Sequence, residues 1–238
     1  MLPSKIVIDG KLTVPLFHGT STLFTHSIRE TGLGGRRLLD DIGLGKTALE
    51  LLRYEKQLEK VTNWDFEKPL LMRVADSSQN PVGSFLRYGA TYMTPSRQTA
   101  ARYALLNDCG SEALASTLKI LNAVVAQLPA LPAQEPFSTV LNFASQPKSP
   151  VFIEAHDVQV DWLRSERGEP CGHVLEMLQN ISDDHDDDLF DTFTQQTNFE
   201  LIHPVPPSQL HFHRIVEPRS GHDSMENLQL TPLDLSAT

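Results

Sequence analysis

The chain has 238 residues, 40% hydrophobic and 21% charged; this is globular composition, long enough to bury a sizeable core, and it excludes a disordered chain. Its two cysteines, Cys109 and Cys171, form no CxxC pair, so neither a disulfide framework nor a zinc site is expected and a reducing, cytoplasmic setting fits. The net charge of −10 is uneven: residues 1–110 hold 14 Lys/Arg and 11 Asp/Glu (+3), and residues 111–238 hold 6 and 19 (−13).

That imbalance leaves room for a basic face among Arg29, Arg36, Arg37, Lys46, Arg53, Lys56 and Lys60, although their interleaving with Glu50, Glu55 and Glu59 reads better as solvated helix charge. The N-terminus lacks the apolar core of a signal peptide. The longest apolar stretch, 120–131, is interrupted by Asn122, Gln127 and Pro129, so no membrane partner is expected.

In chain order, 5–9 and 12–17 read as short strands turned at Gly10, the second running into His18-Gly19-Thr20-Ser21. Leu23 to Arg29 reads as a helix stopped by Gly32. Apolar positions Ile42, Leu44, Leu49, Leu52 and Leu58 among charges predict one amphipathic helix over about 40–62. Residues 69–75 fit a strand or a helix end. Thr91–Thr94 is β-prone, and Ser96 is placed to cap a helix from Gln98 to Leu106. A further helix is expected from Glu112 to about Gln127.

The stretch 129–150, rich in Pro, Ala, Gln and Ser, reads as a connecting loop. Val151–Ala155 is a strong strand signal, and Val174–Leu178 fits a strand or a helical turn. Ser182–Asp191 reads as an acidic loop, Phe199–His203 and Leu210–Val216 as strands, and 218–238 as a polar, flexible tail after a domain spanning 1–217.

Three segments carry chemistry. His18-Gly19 at a strand end places an imidazole beside bare backbone that a flat ligand can approach, although an ordinary strand-to-loop turn has the same sequence. Tyr92 on a strand and Tyr103 on the next helix, 11 residues apart, could sandwich a planar ring, or be two core tyrosines. Glu200 inside the apolar run Phe199-Glu200-Leu201 either points to water by strand alternation or is held in a cleft.

Taken together and in this order, the segments resemble the ADP-ribosyltransferase superfamily, specifically its His-Tyr-Glu branch. His18-Gly19-Thr20 followed by Gly32-Leu33 is similar to that branch's opening motif. Gly89 to Tyr103 is similar to its tyrosine segment, and Glu200-Leu201-Ile202 with Val205-Pro206-Pro207 and Leu210 resembles the bacterial ending. The resemblance runs through about 12–216, with nothing nameable over 110–190.

It implies an α+β fold in which two small, mostly antiparallel sheets form an NAD cleft flanked by helices near 23–30, 40–60, 97–107 and 112–127. It implies NAD+ as donor substrate, with no metal needed. His18 would bond ribose hydroxyls, Gly19 the nicotinamide carboxamide through its backbone, and Tyr92 and Tyr103 would stack on the nicotinamide ring. Glu200 would grip the 2′-hydroxyl of the nicotinamide ribose, where positive charge develops as the leaving group departs. Thr20 and Ala100 complete the binding set.

Two departures bear on this. Ala100, beside Thr99, stands where the polymerases carry a carboxamide-binding serine, and Asn198 stands where the neighbouring Arg-Ser-Glu branch has Gln or Glu. With 17 residues ahead of the His motif, single-unit transfer rather than chain building is expected. The analogy of size points to a bacterial toxin or effector acting on protein or nucleic acid, with a neutralising antitoxin as partner.

The competing readings are an RNA 2′-phosphotransferase, which shares the fold and NAD+, and a non-catalytic module that keeps NAD+ binding, for which Ala100 argues. A third is a metal protein built on the acidic run 183–188 with His211 and His213. The run lacks the glycine and closing glutamate of a calcium loop, and a solvated charge run is preferred.

Overall fold

In the computed structural model the described residues are 3–60, 62–76, 89–184, 186–216 and 229–233. Strands β1 (Val7–Ile8) and β2 (Lys11–Leu12) form a hairpin whose two turn residues, Asp9 and Gly10, both take positive φ, as the tight primed turn requires. The chain then forms β3 (Leu16–Ser21) and α1 (Thr22–Thr31), which ends at Gly32.

The expected single helix over 40–62 is not found. It is broken into α2 (Leu38–Asp41), α3 (Leu44–Leu51), a 3-10 turn over 52–54 and α4 (Glu55–Leu58). Gly43 at φ +72° breaks the helical path, and the pieces fold round a shared apolar cluster containing Leu44, Ala48, Leu51 and Leu58. Residues 69–75 belong to a helix, α5 (Trp64–Ala75), and β4 (Thr91–Met93) follows.

Helices α6 (Arg97–Leu106) and α7 (Glu112–Val125) start where Ser96 and Ser111 accept backbone N–H groups from Thr99 and Leu114. The expected loop over 129–150 contains α8 (Phe137–Ala144): Phe137, Val140 and Ala144, spaced three and four apart, are buried in the helical cluster or its edge. Next come β5 (Pro150–Ala155), β6 (Leu163–Ser165) and α9 (Gly172–Asp184).

The acidic run is also helical rather than a loop. Asp186 accepts the N–H of Leu189 and caps α10 (Asp187–Phe193), whose first turn favours carboxylates through the helix dipole. Strands β7 (Phe199–Leu201), β8 (Leu210–Val216) and β9 (Gln229–Pro232) complete the chain. The expected flexible tail therefore contains a strand, which covers the β8 edge; 217–228 and 234–238 lie outside the described residues.

The architecture is α+β with small antiparallel sheets. One sheet runs β3-β5-β8-β9, the other β4-β7-β6. Leu16, Val151 and Ile153 of the first share a core with Met93, Leu163, Phe199 and Leu201 of the second, and α6 packs its alanines on the opposite face of the first sheet against Phe17 and Phe152. The two sheets touch where Phe17 and Thr94 exchange both backbone hydrogen bonds (2.7 and 2.9 Å) in a single bridge, and beyond it the strands part. Among the described residues no helix is long and apolar enough to cross a membrane.

Candidate functional site

The parting of β3 and β4 opens a cavity of about 680 Å3, within the ~300–1,000 Å3 typical of small-molecule sites. His18, Gly19, Thr20, Tyr92, Ala100, Tyr103 and Glu200 all line it. Three segments far apart in sequence thus meet at one place.

His18 Nδ1 donates to the carbonyl of Tyr92 at 2.7 Å. A carbonyl can only accept, so the neutral ring carries its proton on Nδ1 and leaves Nε2 as an acceptor. Burial pulls the imidazole pKa below its usual value, opposed in part by the Tyr92 bond, which favours the neutral ring as the working form.

That bond also explains Gly19. Backbone polar groups alternate sides along a strand, and Phe17 spends its N–H and C=O on Thr94. Gly19, two residues on, points its own pair to the same edge. There Tyr92, which a continued ladder would oppose to it, has given its carbonyl to His18. The Gly19 peptide groups therefore face the cavity that the residue lines. The missing side chain has a separate cause: a Cβ on Gly19 would stand 2.0 Å from the Ala100 carbonyl oxygen and 2.8 Å from the Ala104 nitrogen. Close packing of α6 on β3 demands glycine whether or not a ligand approaches.

Across β4 and β7, Tyr92 and Glu200 are direct partners, so their side chains share a face. Glu200 is 7% exposed, which settles its placement in favour of the cleft over open water. On its other flank Arg164 of β6 is the direct partner of Glu200, one strand spacing (~4.8 Å) away. The three-stranded sheet thus presents Tyr92, Glu200 and Arg164 in a row, with Met93, Phe199 and Leu201 in the core on its other face.

Several hydroxyls nearby already have partners. Thr20 Oγ1 donates to the carbonyl of Gly110 at 3.2 Å, and Thr99 Oγ1 donates to that of Gln195 at 2.9 Å. Ala100 is 2% exposed beneath β3. The serine hydroxyl absent at 100 is therefore not replaced by Thr99. Tyr103 is half-buried, and its phenolic oxygen accepts the N–H of Glu112 at 3.2 Å, which fixes the ring at the start of α7. The N-terminus of α6 is held from outside as well: Asp191 of α10 accepts from the backbone N–H groups of Arg97 and Gln98.

Sequence reasoning did not place three arginines at this site. Arg36, Arg37 and Arg73 all border the cavity. Arg36 pairs with Asp41 and Arg37 with Asp40, while Arg73 Nε is buried with no hydrogen-bond partner among the described residues. Asn198 also lines the cavity, its Nδ2 donating to Glu166 Oε1 at 3.2 Å. Arg36 and Arg37 were visible as possible basic-face residues; Arg73 lay in a segment whose secondary structure was ambiguous.

His185 of the acidic run lies outside the described residues, and among the described residues no three His, Cys, Asp or Glu side chains group as ligands. His213 and His156 instead flank Glu154, with nitrogen–oxygen distances of 3.6 and 3.0 Å, on the sheet face that packs α6. No family model, curated protein or solved structure matches this chain.

Proposed function

We propose that the chain binds NAD+ in this cavity and transfers its ADP-ribose to a macromolecular acceptor, on an ADP-ribosyltransferase-like fold. The observation that carries the reading is the meeting of His18, Tyr92 and Glu200: Tyr92 stands opposite Glu200 across two strands while its carbonyl holds the His18 ring. The lining fits the donor in its chemistry. It combines half-buried tyrosine surface for a planar ring, exposed peptide groups at Gly19, an imidazole acceptor, a sequestered carboxylate and three guanidiniums for a pyrophosphate.

NAD+ supplies the ADP-ribosyl group when its bond to nicotinamide breaks. Glu200 faces the positive charge that grows on the ribose, and a fixed carboxylate there stabilises the transition state more than the ground state. Backbone pairing with β4 on one side and β6 on the other positions Glu200. His18 accepts a ribose hydroxyl through Nε2, and Gly19 offers an N–H and a C=O to a carboxamide. Tyr92 and Tyr103 orient a ring, which is positioning rather than proton transfer. Arg73, whose Nε has no partner among the described residues, offers a charge-assisted bond to phosphate.

Calorimetric titration with NAD+ tests the donor half of this reading. Saturable binding that weakens in His18→Ala is expected, and no heat at any NAD+ concentration would sink it. The commitment of Thr99 and the burial of Ala100 favour a second reading, a module that binds NAD+ without cleaving it; binding with no nicotinamide released would establish that one. The three arginines also suit the phosphate of the phosphotransferase reading. Loss of phosphate from a 2′-phosphorylated RNA would bring it forward.

A further inference from the structure

A second cavity, of about 720 Å3, adjoins the first and shares with it Thr99, Tyr103, Glu112 and Asn198. Helices α5, α6 and α7 and the segment after α10 border it. Resting on the NAD+ reading above, we propose that this second cavity seats the acceptor and that the acceptor is a protein, bound through an extended segment with an apolar residue and basic flanks.

The strongest mark of a ligand site is Asn107. It is 8% exposed, it lines the cavity, and its Oδ1 has no hydrogen-bond partner among the described residues. A buried acceptor left unmade is a standing cost that a ligand N–H removes. The amides of Gln98, Gln195, Gln196 and Asn198 line the same space, with Gln195 Nε2 bonded to Gln98 Oε1 at 2.9 Å. A row of primary amides suits the alternating N–H and C=O groups of an extended peptide. At the rim, Phe66 and Leu106 are 64% and 75% exposed and offer cover to an apolar side chain.

Charge separates a polypeptide from a polynucleotide. Among the described residues the charged ones in the lining are Arg102 and Glu112, which cancel. A nucleic acid needs a cation for each phosphate it brings, and here it meets one, on a chain of net charge −10. Exposed Asp186 and Asp188 precede and open α10, which packs on α6, so basic flanks are favoured. In the transfer the bond from ribose C1′ to the nicotinamide nitrogen breaks and its electron pair leaves with nicotinamide. C1′ then bonds a heteroatom of the acceptor side chain, whose proton passes to solvent.

The test offers biotin-labelled NAD+ with two probes, an oriented synthetic peptide library and a pool of random single-stranded oligonucleotides, while nicotinamide release is followed in parallel. We expect label on peptides. Per nicotinamide released, Asn107→Leu should transfer about tenfold less, the fold-change of one hydrogen bond. Phe66→Asp, at an exposed position, should move the preference at one library position from apolar to basic residues. Label on oligonucleotides, nicotinamide release with no peptide labelled, or wild-type yield and preference in both variants would overturn the proposal. Absence of nicotinamide release from the wild type would instead remove the donor reading, and this proposal with it.

Discussion

His18 donates its Nδ1 proton to the carbonyl of Tyr92 across 2.7 Å, and that bond stops the β3–β4 ladder after a single bridge. The same contact opens the cavity, fixes the histidine tautomer and turns the Gly19 peptide groups inward. His18→Ala should therefore lose stability as well as ligand affinity, by about 1 kcal/mol for the bond alone. Urea unfolding of the two proteins measures it, and equal midpoints would show that the bond contributes nothing to the fold.

The histidines also set a pH window. Burial lowers the pKa of His18 and, two strands away on β8, of His213, where Glu154 opposes the shift while His211 and Arg97 add to it. A histidine lowered in the native state contributes in full above its unfolded value of ~6.5 and loses that contribution as pH falls through the folded one, because the unfolded chain takes up protons first. The unfolding midpoint should hold between about pH 8 and 7 and fall below ~6.5, less steeply in His18→Gln. Glu55 and Glu135, whose pKa values are lowered by their hydrogen-bond donors, act at lower pH and do not confuse this window. A midpoint flat down to about pH 5 would contradict it.

Gly19→Ala tests packing rather than chemistry. Its Cβ would fall 2.0 Å from the Ala100 carbonyl oxygen, so α6 must lift off β3. Overpacking of this kind costs about 1–3 kcal/mol. A clear drop in thermal midpoint is expected, and an unchanged one would show that the contact of α6 with β3 yields without cost.

Arg73 lines the cavity, and its buried Nε has no hydrogen-bond partner among the described residues. If it meets a phosphate, Arg73→Ala should weaken NAD+ by about tenfold or more, the range of a charge-assisted bond. It should leave nicotinamide binding alone, since that fragment carries no phosphate. Calorimetry with both ligands reads the difference, and equal losses for both would place Arg73 away from the phosphates.

Asp191 holds the α6 N-terminus by accepting two of its N–H groups. Asp191→Ala should cost about 1 kcal/mol, as lost caps do, and disturb Thr99 and Tyr103 on the same helix. A stability equal to wild type would show that Ser96 caps α6 sufficiently by itself.

What the sequence made legible was local. The Ser96 cap, the run Val151–Ala155 and the glycine stop after α1 need only neighbours in sequence. His18, Tyr92 and Glu200 could be picked out because a resemblance supplied their order. Arg164 could have been found only by knowing that β6 pairs with β7, since nothing in Leu163-Arg164-Ser165 marks it. α8 was hidden by Pro, Gln and Ser around its buried Phe137 and Val140, and α10 by carboxylates that read as a loop until Asp186 is seen capping it. The second cavity has no local signature at all, because Phe66, Asn107 and Asn198 meet only once three helices pack.

The most direct test of the central claim is incubation of a cell lysate with NAD+ labelled in its adenylate phosphate, wild type beside Glu200→Ala. Label in macromolecules is expected with wild type, falling in the variant by two to three decades, the ~2.7–4 kcal/mol of one preorganised group. Labelling that is undiminished in Glu200→Ala, or a wild type that neither transfers label nor releases nicotinamide, would contradict it.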